Sequence, residues 1–305
     1  NRGFTPRRIA GLEAWIRAEA TALLDRLEER GEGDLVADFA TPLPTAVFAE
    51  LLGVPASERE AFRRWSDATC AMSPDPAAMA AGKQAIGELT TLFGALAEER
   101  RRRPAGDLIS ALVASTATAA DDVGHASDEP MTHDELTGFC VLLLVAGLET
   151  TALLIATGAR RLAQHPDQRA RLVRDPSAIP NAVEEMVRFD SPIPGNARTL
   201  TRDVERHGRK LPAGAKVLLL YAAANRDERE FPGGDRFDVG RSIDRHVAFG
   251  NGIHFCLGAS LARLEARVAF EELLRSFPNH DLSTQCRWTG IVPTRSPVSL
   301  PIRLR

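Results

Sequence analysis

Phe249-Gly250-Asn251-Gly252-Ile253-His254-Phe255-Cys256-Leu257-Gly258 is the stretch on which the fold turns. Downstream of it, Leu257, Leu261, Leu264 and Val268 form one apolar stripe, which predicts a helix over about 257–277. Cys256 therefore falls at or just before a helix N-terminus. There the macrodipole and unpaired N–H groups favour a thiolate over a thiol, and the thiolate is the form that binds a metal. Gly250 and Gly252 allow a tight backbone beneath a flat ligand, and Gly258 removes a side chain where helix and ligand would meet. By itself, a lone cysteine ahead of a helix is more often a buried structural residue, so the loop has to be read with the rest of the chain.

Upstream lies a long helical pattern. Thr132 with Glu135 makes a capping box, and Met131 with Leu136 is spaced as a hydrophobic staple. The pattern runs to about Gln164, where Pro166 stops it. Its middle is apolar all round, which predicts a core helix crossing the molecule. Within it stands Ala146-Gly147-Leu148-Glu149-Thr150-Thr151. A carboxylate there is costly to bury unless it is paired, hydrated or used, and Gly147 weakens the helix enough to open a groove. An ion pair for Glu149, and a bond from the Thr150 hydroxyl to the carbonyl one turn back, are the alternative readings.

Helical spacing also predicts helices over 7–30, ending at Gly31, and through 43–53, 77–100 and 180–189, the last opened by Pro180. Residues 117–129 read as an exposed loop. Asn196–Val204 and Lys216–Tyr221 read as short strands joined by the Pro212-Ala213-Gly214 turn. Residues 225–253 look irregular, and the tail with Pro293, Pro297 and Pro301 is expected to be edge strand and loop. The architecture is mainly α with a small β-rich part, taken as a single domain over 1–305.

The bulk properties exclude several classes. With 305 residues, 44% hydrophobic and 26% charged, the chain can bury a large core. A net charge of -3, without basic residues interleaved with aromatics, gives no sign of nucleic-acid binding, and the run Arg101 to Arg103 reads as a solvated helix end. Cys70, Cys140, Cys256 and Cys286 show no paired spacing that suggests zinc or a redox disulfide, which fits a reducing cytosol. The uncharged run Leu136 to Leu148 is shorter than the ~20 residues that span a bilayer; no membrane association and a cytoplasmic location are expected.

The ten-residue loop fills every fixed position of Phe-Gly-x-Gly-x-His-x-Cys-x-Gly and resembles the signature of the cytochrome P450 family, of the bacterial, soluble, class I type. The resemblance covers essentially the whole chain. It implies the P450 fold and haem b (iron protoporphyrin IX) on the Cys256 thiolate, which donates electron density and helps cleave the O–O bond. Phe249, Gly250, Gly258 and Ala146 would contact the cofactor, and His254 and Arg198 would face its propionates. The segment from Ala146 would lie on the oxygen-binding side, with Glu149 bringing protons inward and Thr150 holding oxygen and a water.

Glu185 and Arg188, one turn apart, resemble the family's Glu-x-x-Arg pair, which Arg236 in Asp235-Arg236-Phe237 would complete; Gly234 replaces the usual proline and is expected to loosen that turn. Leu142, Val145, Ala146, Pro194, Gly195 and Val292 would line the substrate pocket. The family has further N-terminal helices and strands ahead of Phe4-Thr5-Pro6-Arg7-Arg8, so the fold is expected to be N-terminally truncated and the natural protein longer.

The implied activity is a monooxygenase that inserts one atom of O2 into a small or mid-sized apolar organic substrate. Its electrons would come from a ferredoxin-type partner with an NAD(P)H reductase, because the chain has no flavin or iron–sulfur motif. Arg63, Arg64, Arg263 and Arg267 are the expected docking residues. A non-catalytic haem-binding or cofactor-free remnant, and a haem-thiolate enzyme of other chemistry, are the competing readings; Glu149 and Thr150 favour oxygen activation over direct use of peroxide.

Overall fold

The computed structural model describes residues 4–70, 75–116, 131–282, 286–288 and 297–303. The expected loop at 117–129, Val292 and Pro293 lie outside them. In chain order the helices are α1 (Pro6–Gly11), α2 (Glu13–Glu28), α3 (Pro42–Leu52), α4 (Arg59–Cys70), α5 (Pro76–Arg102), α6 (Leu108–Thr116), α7 (His133–Gln164), α8 (Pro166–Arg174), α9 (Ile179–Phe189), α10 (Tyr221–Ala224) and α11 (Ala259–Ser276). The predicted helix over 7–30 is two helices, broken at Leu12.

The long central helix starts where its cap requires. The Thr132 hydroxyl accepts the Glu135 N–H at 3.2 Å, and the Glu135 carboxylate accepts the Thr132 N–H at 2.7 Å. α7 packs against α3, α4, α5, α9 and α11, and its buried positions, from Leu136 to Leu162, belong to one contiguous apolar cluster. By length and composition α7 could cross a membrane, since Glu149 is the one charge in a long apolar stretch. Its contacts with five other helices make it the core of this molecule instead. Gly147 lines the cavity described below, but not by weakening the helix. The helix is unbroken there, and a Cβ at that position would collide with the Phe48 ring, so the glycine lets α3 approach α7.

The strands are short: β1 (Glu32–Asp34), β2 (Asn196–Thr199), β3 (Val204–Arg206), β4 (Arg209–Leu211), β5 (Lys216–Leu219), β6 (Asp281–Leu282), β7 (Arg287–Trp288), β8 (Pro297–Ser299) and β9 (Pro301–Arg303). β2 pairs with β5 antiparallel, as the sequence suggests, but the connection contains a further hairpin, β3 with β4, turned by His207 and Gly208 at positive φ. The tail is not all edge. β9 is central between β1 and β6, although Pro301 lies opposite β1 alone, where its missing N–H leaves no gap on the other side.

The Glu-x-x-Arg pair is fully buried. Arg188 Nε and Nη2 donate to the two Glu185 oxygens at 2.6 and 2.9 Å, and Nη1 donates to the carbonyls of Asn225 and Gly234 at 2.6 and 3.0 Å. The third member is Arg241, whose Nε lies 3.4 Å from Glu185, and not Arg236, which is exposed and offers only its carbonyl, to Arg241. Nor does Gly234 loosen the turn. It is buried, and a Cβ there would lie 2.5 Å from the Arg226 carbonyl oxygen, so the missing side chain closes the turn more tightly.

Candidate functional site

Residues 247–259 fold back on themselves. The Gly250 N–H donates to the Val247 carbonyl at 3.0 Å, the Phe255 N–H to Gly252 at 3.0 Å, and the Cys256 N–H to Phe249 at 2.8 Å. Gly250 and Gly252 both have positive φ, 73° and 71°, a conformation that L side chains seldom adopt. The loop delivers Cys256 to the start of α11, where its sulfur accepts from the N–H groups of Gly258 and Ala259. Even so, burial pushes the thiol above its ordinary range, against those two bonds and the nearby Arg263 charge.

The sulfur opens onto a cavity of about 680 Å³, within the roughly 300–1,000 Å³ of ordinary ligand and cofactor sites. Of the expected site residues, Ala146, Thr150, Arg198, Phe249, Gly250, His254, Cys256 and Gly258 all line it. α7 supplies the first two and β2 supplies Arg198, with Asn196 on the same strand face two residues earlier. A Cβ on Gly258 would meet nothing within 4 Å, so the wall beside the cysteine is open there. The Arg198 guanidinium donates to the Ala197 carbonyl at 2.9 Å and remains exposed. The Thr150 hydroxyl donates to the Ala146 carbonyl at 2.8 Å, which leaves its oxygen free to accept.

Glu149 is the exception. It is half-buried, does not line the cavity, and its charge reaches Cys70 at the end of α4, helping burial hold that thiol at about 12. Burial alone holds Cys140 at about 12 as well. Of the expected pocket residues Ala146 lines the cavity, and the others among the described residues are displaced. Leu143 lines the cavity and Leu142 is 60% exposed; Pro192 and Ile193 line it, while Val145, Pro194 and Gly195 do not.

The expected docking arginines are engaged. Arg63 pairs with Asp67 at 3.7 Å, Arg64 with Glu60 at 3.2 Å, Arg263 with Glu184 at 2.6 Å, and Arg267 with Glu13 at 2.6 Å and Glu271 at 3.1 Å.

Glu265, which the helical stripe concealed, lines the same cavity from α11. It is fully buried, neither carboxylate oxygen has a hydrogen-bond partner among the described residues, and burial pushes its carboxyl up to about 8. A glutamate at the i+4 position from Leu261 was the available signal.

A helical frame that opens a large, mostly apolar cavity between a cysteine sulfur and a central helix defines a protein built to bind a largely apolar ligand or cofactor beside that sulfur. The Cytochrome P450 family model matches residues 76–289. A cytochrome P450 of Bacillus subtilis (strain 168) is 38% identical over 305 residues, covering 99% of this chain and 72% of its own length. The 6-deoxyerythronolide B hydroxylase of Saccharopolyspora erythraea is 40% identical over 304 residues, covering 99% and 73%. The crystal structure of CYP109E1 from Bacillus megaterium in complex with testosterone superposes with a TM-score of 0.91 at 33% identity, covering 100% of this chain and 81% of that one.

The chain belongs to the cytochrome P450 family. It is a P450 monooxygenase, an oxidoreductase that uses O2 and an organic substrate, and its cofactor is haem b. The cavity fits that group in volume, in its apolar walls and in the cysteine sulfur that opens onto it.

Proposed function

We propose that the Cys256 sulfur would hold the iron of haem b, that Phe249, Gly250, Gly258 and Ala146 would contact the cofactor, and that Arg198 and His254 would pair with its propionates. The haem, when bound, supplies the oxidising equivalent that inserts one oxygen atom into a C–H bond. The observation that carries this reading is the cysteine sulfur and the Ala146–Thr150 segment of α7 lining one cavity. Thr150, whose hydroxyl donates to Ala146 and whose oxygen can still accept, would hold a water at the cavity wall beside the cofactor. Glu149 faces away from the cavity wall and relays protons from the α4 side rather than touching the reacting atoms.

The substrate is a small or mid-sized apolar molecule. Leu143, Leu154, Val187, Ile193 and Phe48 give the cavity its apolar lining, and a 6-deoxyerythronolide B hydroxylase and a P450 in complex with testosterone are among the similar proteins. Electrons come from a ferredoxin-type donor with an NAD(P)H reductase, and the enzyme works in the cytoplasm. Docking uses shape and backbone around the cysteine loop, because the four arginines expected there are already paired.

Reduction of the haem-loaded chain under carbon monoxide tests the ligand. The thiolate-type Soret band is expected in wild type and absent in Cys256→Ser; the same spectrum in both would refute it. For Thr150→Ala, less product per NADH oxidised is expected, with the difference appearing as peroxide. Unchanged coupling would remove Thr150 from the reaction.

A further inference from the structure

Two adjacent glutamates on α9 face different partners. Glu185 is committed to Arg188 and Arg241, as described above. Glu184 turns towards α11 and the cysteine loop. Its Oε1 accepts from Arg263 Nε at 2.6 Å, and its Oε2 accepts from Arg263 Nη2 at 2.9 Å and from His246 Nε2 at 3.0 Å. The Ala248 N–H donates to His246 Nδ1 at 3.2 Å, so the ring is held between the Glu184 carboxylate and the loop backbone.

Both partners then press on one ring. The Arg263 guanidinium lies 4.5 Å from the Phe249 centroid, and the His246 ring 5.7 Å from it. Phe249 is the residue whose carbonyl receives the Cys256 N–H at 2.8 Å, and the Arg263 charge reaches the cysteine sulfur.

We propose that Glu184 is a positioning residue for the cysteine ligand: by holding Arg263 and His246 against Phe249 it fixes the Cys256 sulfur and neutralises the Arg263 cation that acts on it. The inference rests on Cys256 being the haem ligand. Burial works against the Glu184 carboxylate, but the hydrogen bonds from Arg263 and His246 win and hold its pKa at about 2, so it stays ionised at every working pH. A bidentate arginine with a shared carboxylate is a geometry that neither lysine nor a neutral amide reproduces.

The test uses haem-loaded protein and reads the reduction potential by spectroelectrochemical titration. Glu184→Gln leaves the Arg263 cation uncompensated beside the sulfur, so the potential is expected to move positive. Arg263→Gln removes the cation, so it is expected to move negative, and the double variant to return close to wild type. Haem transfer to apomyoglobin is expected to quicken by roughly tenfold in Glu184→Gln, the scale of one lost charged hydrogen bond.

Potentials unmoved in both single variants, with the thiolate-type carbonyl band retained, would show that Glu184 merely packs and would overturn the proposal. Should Glu184→Gln fail to fold, Arg263→Gln carries the test alone, and an unmoved potential there is equally decisive. If wild type itself lacks the thiolate-type band, the haem-thiolate assignment falls and takes this inference with it; a band in wild type with unmoved variants removes only the role of Glu184.

Discussion

Replacing Glu265 with glutamine should make the cofactor-free protein more stable at neutral pH, by an amount that depends on pH in a defined way. Burial raises the folded-state carboxyl from its ordinary 4.5 to about 8. Between those values the folded chain keeps the proton and the unfolded chain loses it. The unfolded state therefore binds fewer protons, and stability falls as pH rises, by about 1.4 kcal/mol per pH unit. From about pH 5 to about pH 7.5 the wild type should lose roughly 3 kcal/mol that the neutral glutamine variant does not. Below the unfolded value the full stability is present, and above about 8 both states are ionised and the slope ends.

Urea titrations of both proteins across that range give the difference directly, because glutamine preserves the shape and other titrating groups cancel. Infrared difference spectra supply a second reading: a protonated-carboxyl band present at neutral pH in wild type and missing from Glu265→Gln. A stability difference constant with pH, together with no such band, would show that Glu265 ionises normally and would refute the argument from its unpartnered oxygens.

Other outcomes follow from single contacts. Gly147→Ala should destabilise by about 1–3 kcal/mol through collision with Phe48, and Phe48→Leu should restore part of the loss; calorimetry of the three proteins checks it. Arg241→Ala, which strips a charged partner from buried Glu185 and removes a guanidinium donor from three carbonyls, should cost about 3 kcal/mol, whereas Arg236→Ala should stay within about 0.5 kcal/mol. Thiol labelling of the cofactor-free chain should modify Cys256 well before Cys70 and Cys140, whose thiols burial holds at about 12; mass spectrometry of the peptides gives the order.

Which of these features the sequence revealed depended on how local their chemistry is. The cysteine loop is legible because its constraints are a few bonds apart: two glycines at positive φ, an N–H returning from Cys256 to Phe249, and a helix starting at once. The capping box that opens α7 is equally local, and so was read to the residue. The partner of Glu185 was not, because Arg236 and Arg241 both lie in a segment without periodicity, where only the path of the backbone decides which one turns inward. His207 and Gly208 escaped notice because the flanking strands are exposed and charged and lack apolar alternation.

Gly147 shows the same limit from the other direction. Its effect on an isolated helix would be to weaken it, yet in the folded chain the ring of Phe48, about a hundred positions earlier, takes the space, and the helix runs straight through. Glu184 and Glu265 extend the point to function. Each is one carboxylate on a helix with ordinary charge patterning, and neither is distinguished until two other elements close over it. One then finds an arginine and a histidine, while the other finds neither and faces the cavity with both oxygens unpaired. Burial with a partner makes a fixed charge and burial without one makes a held proton, so the same residue type on α9 and α11 serves opposite electrical purposes on the two sides of the cysteine loop.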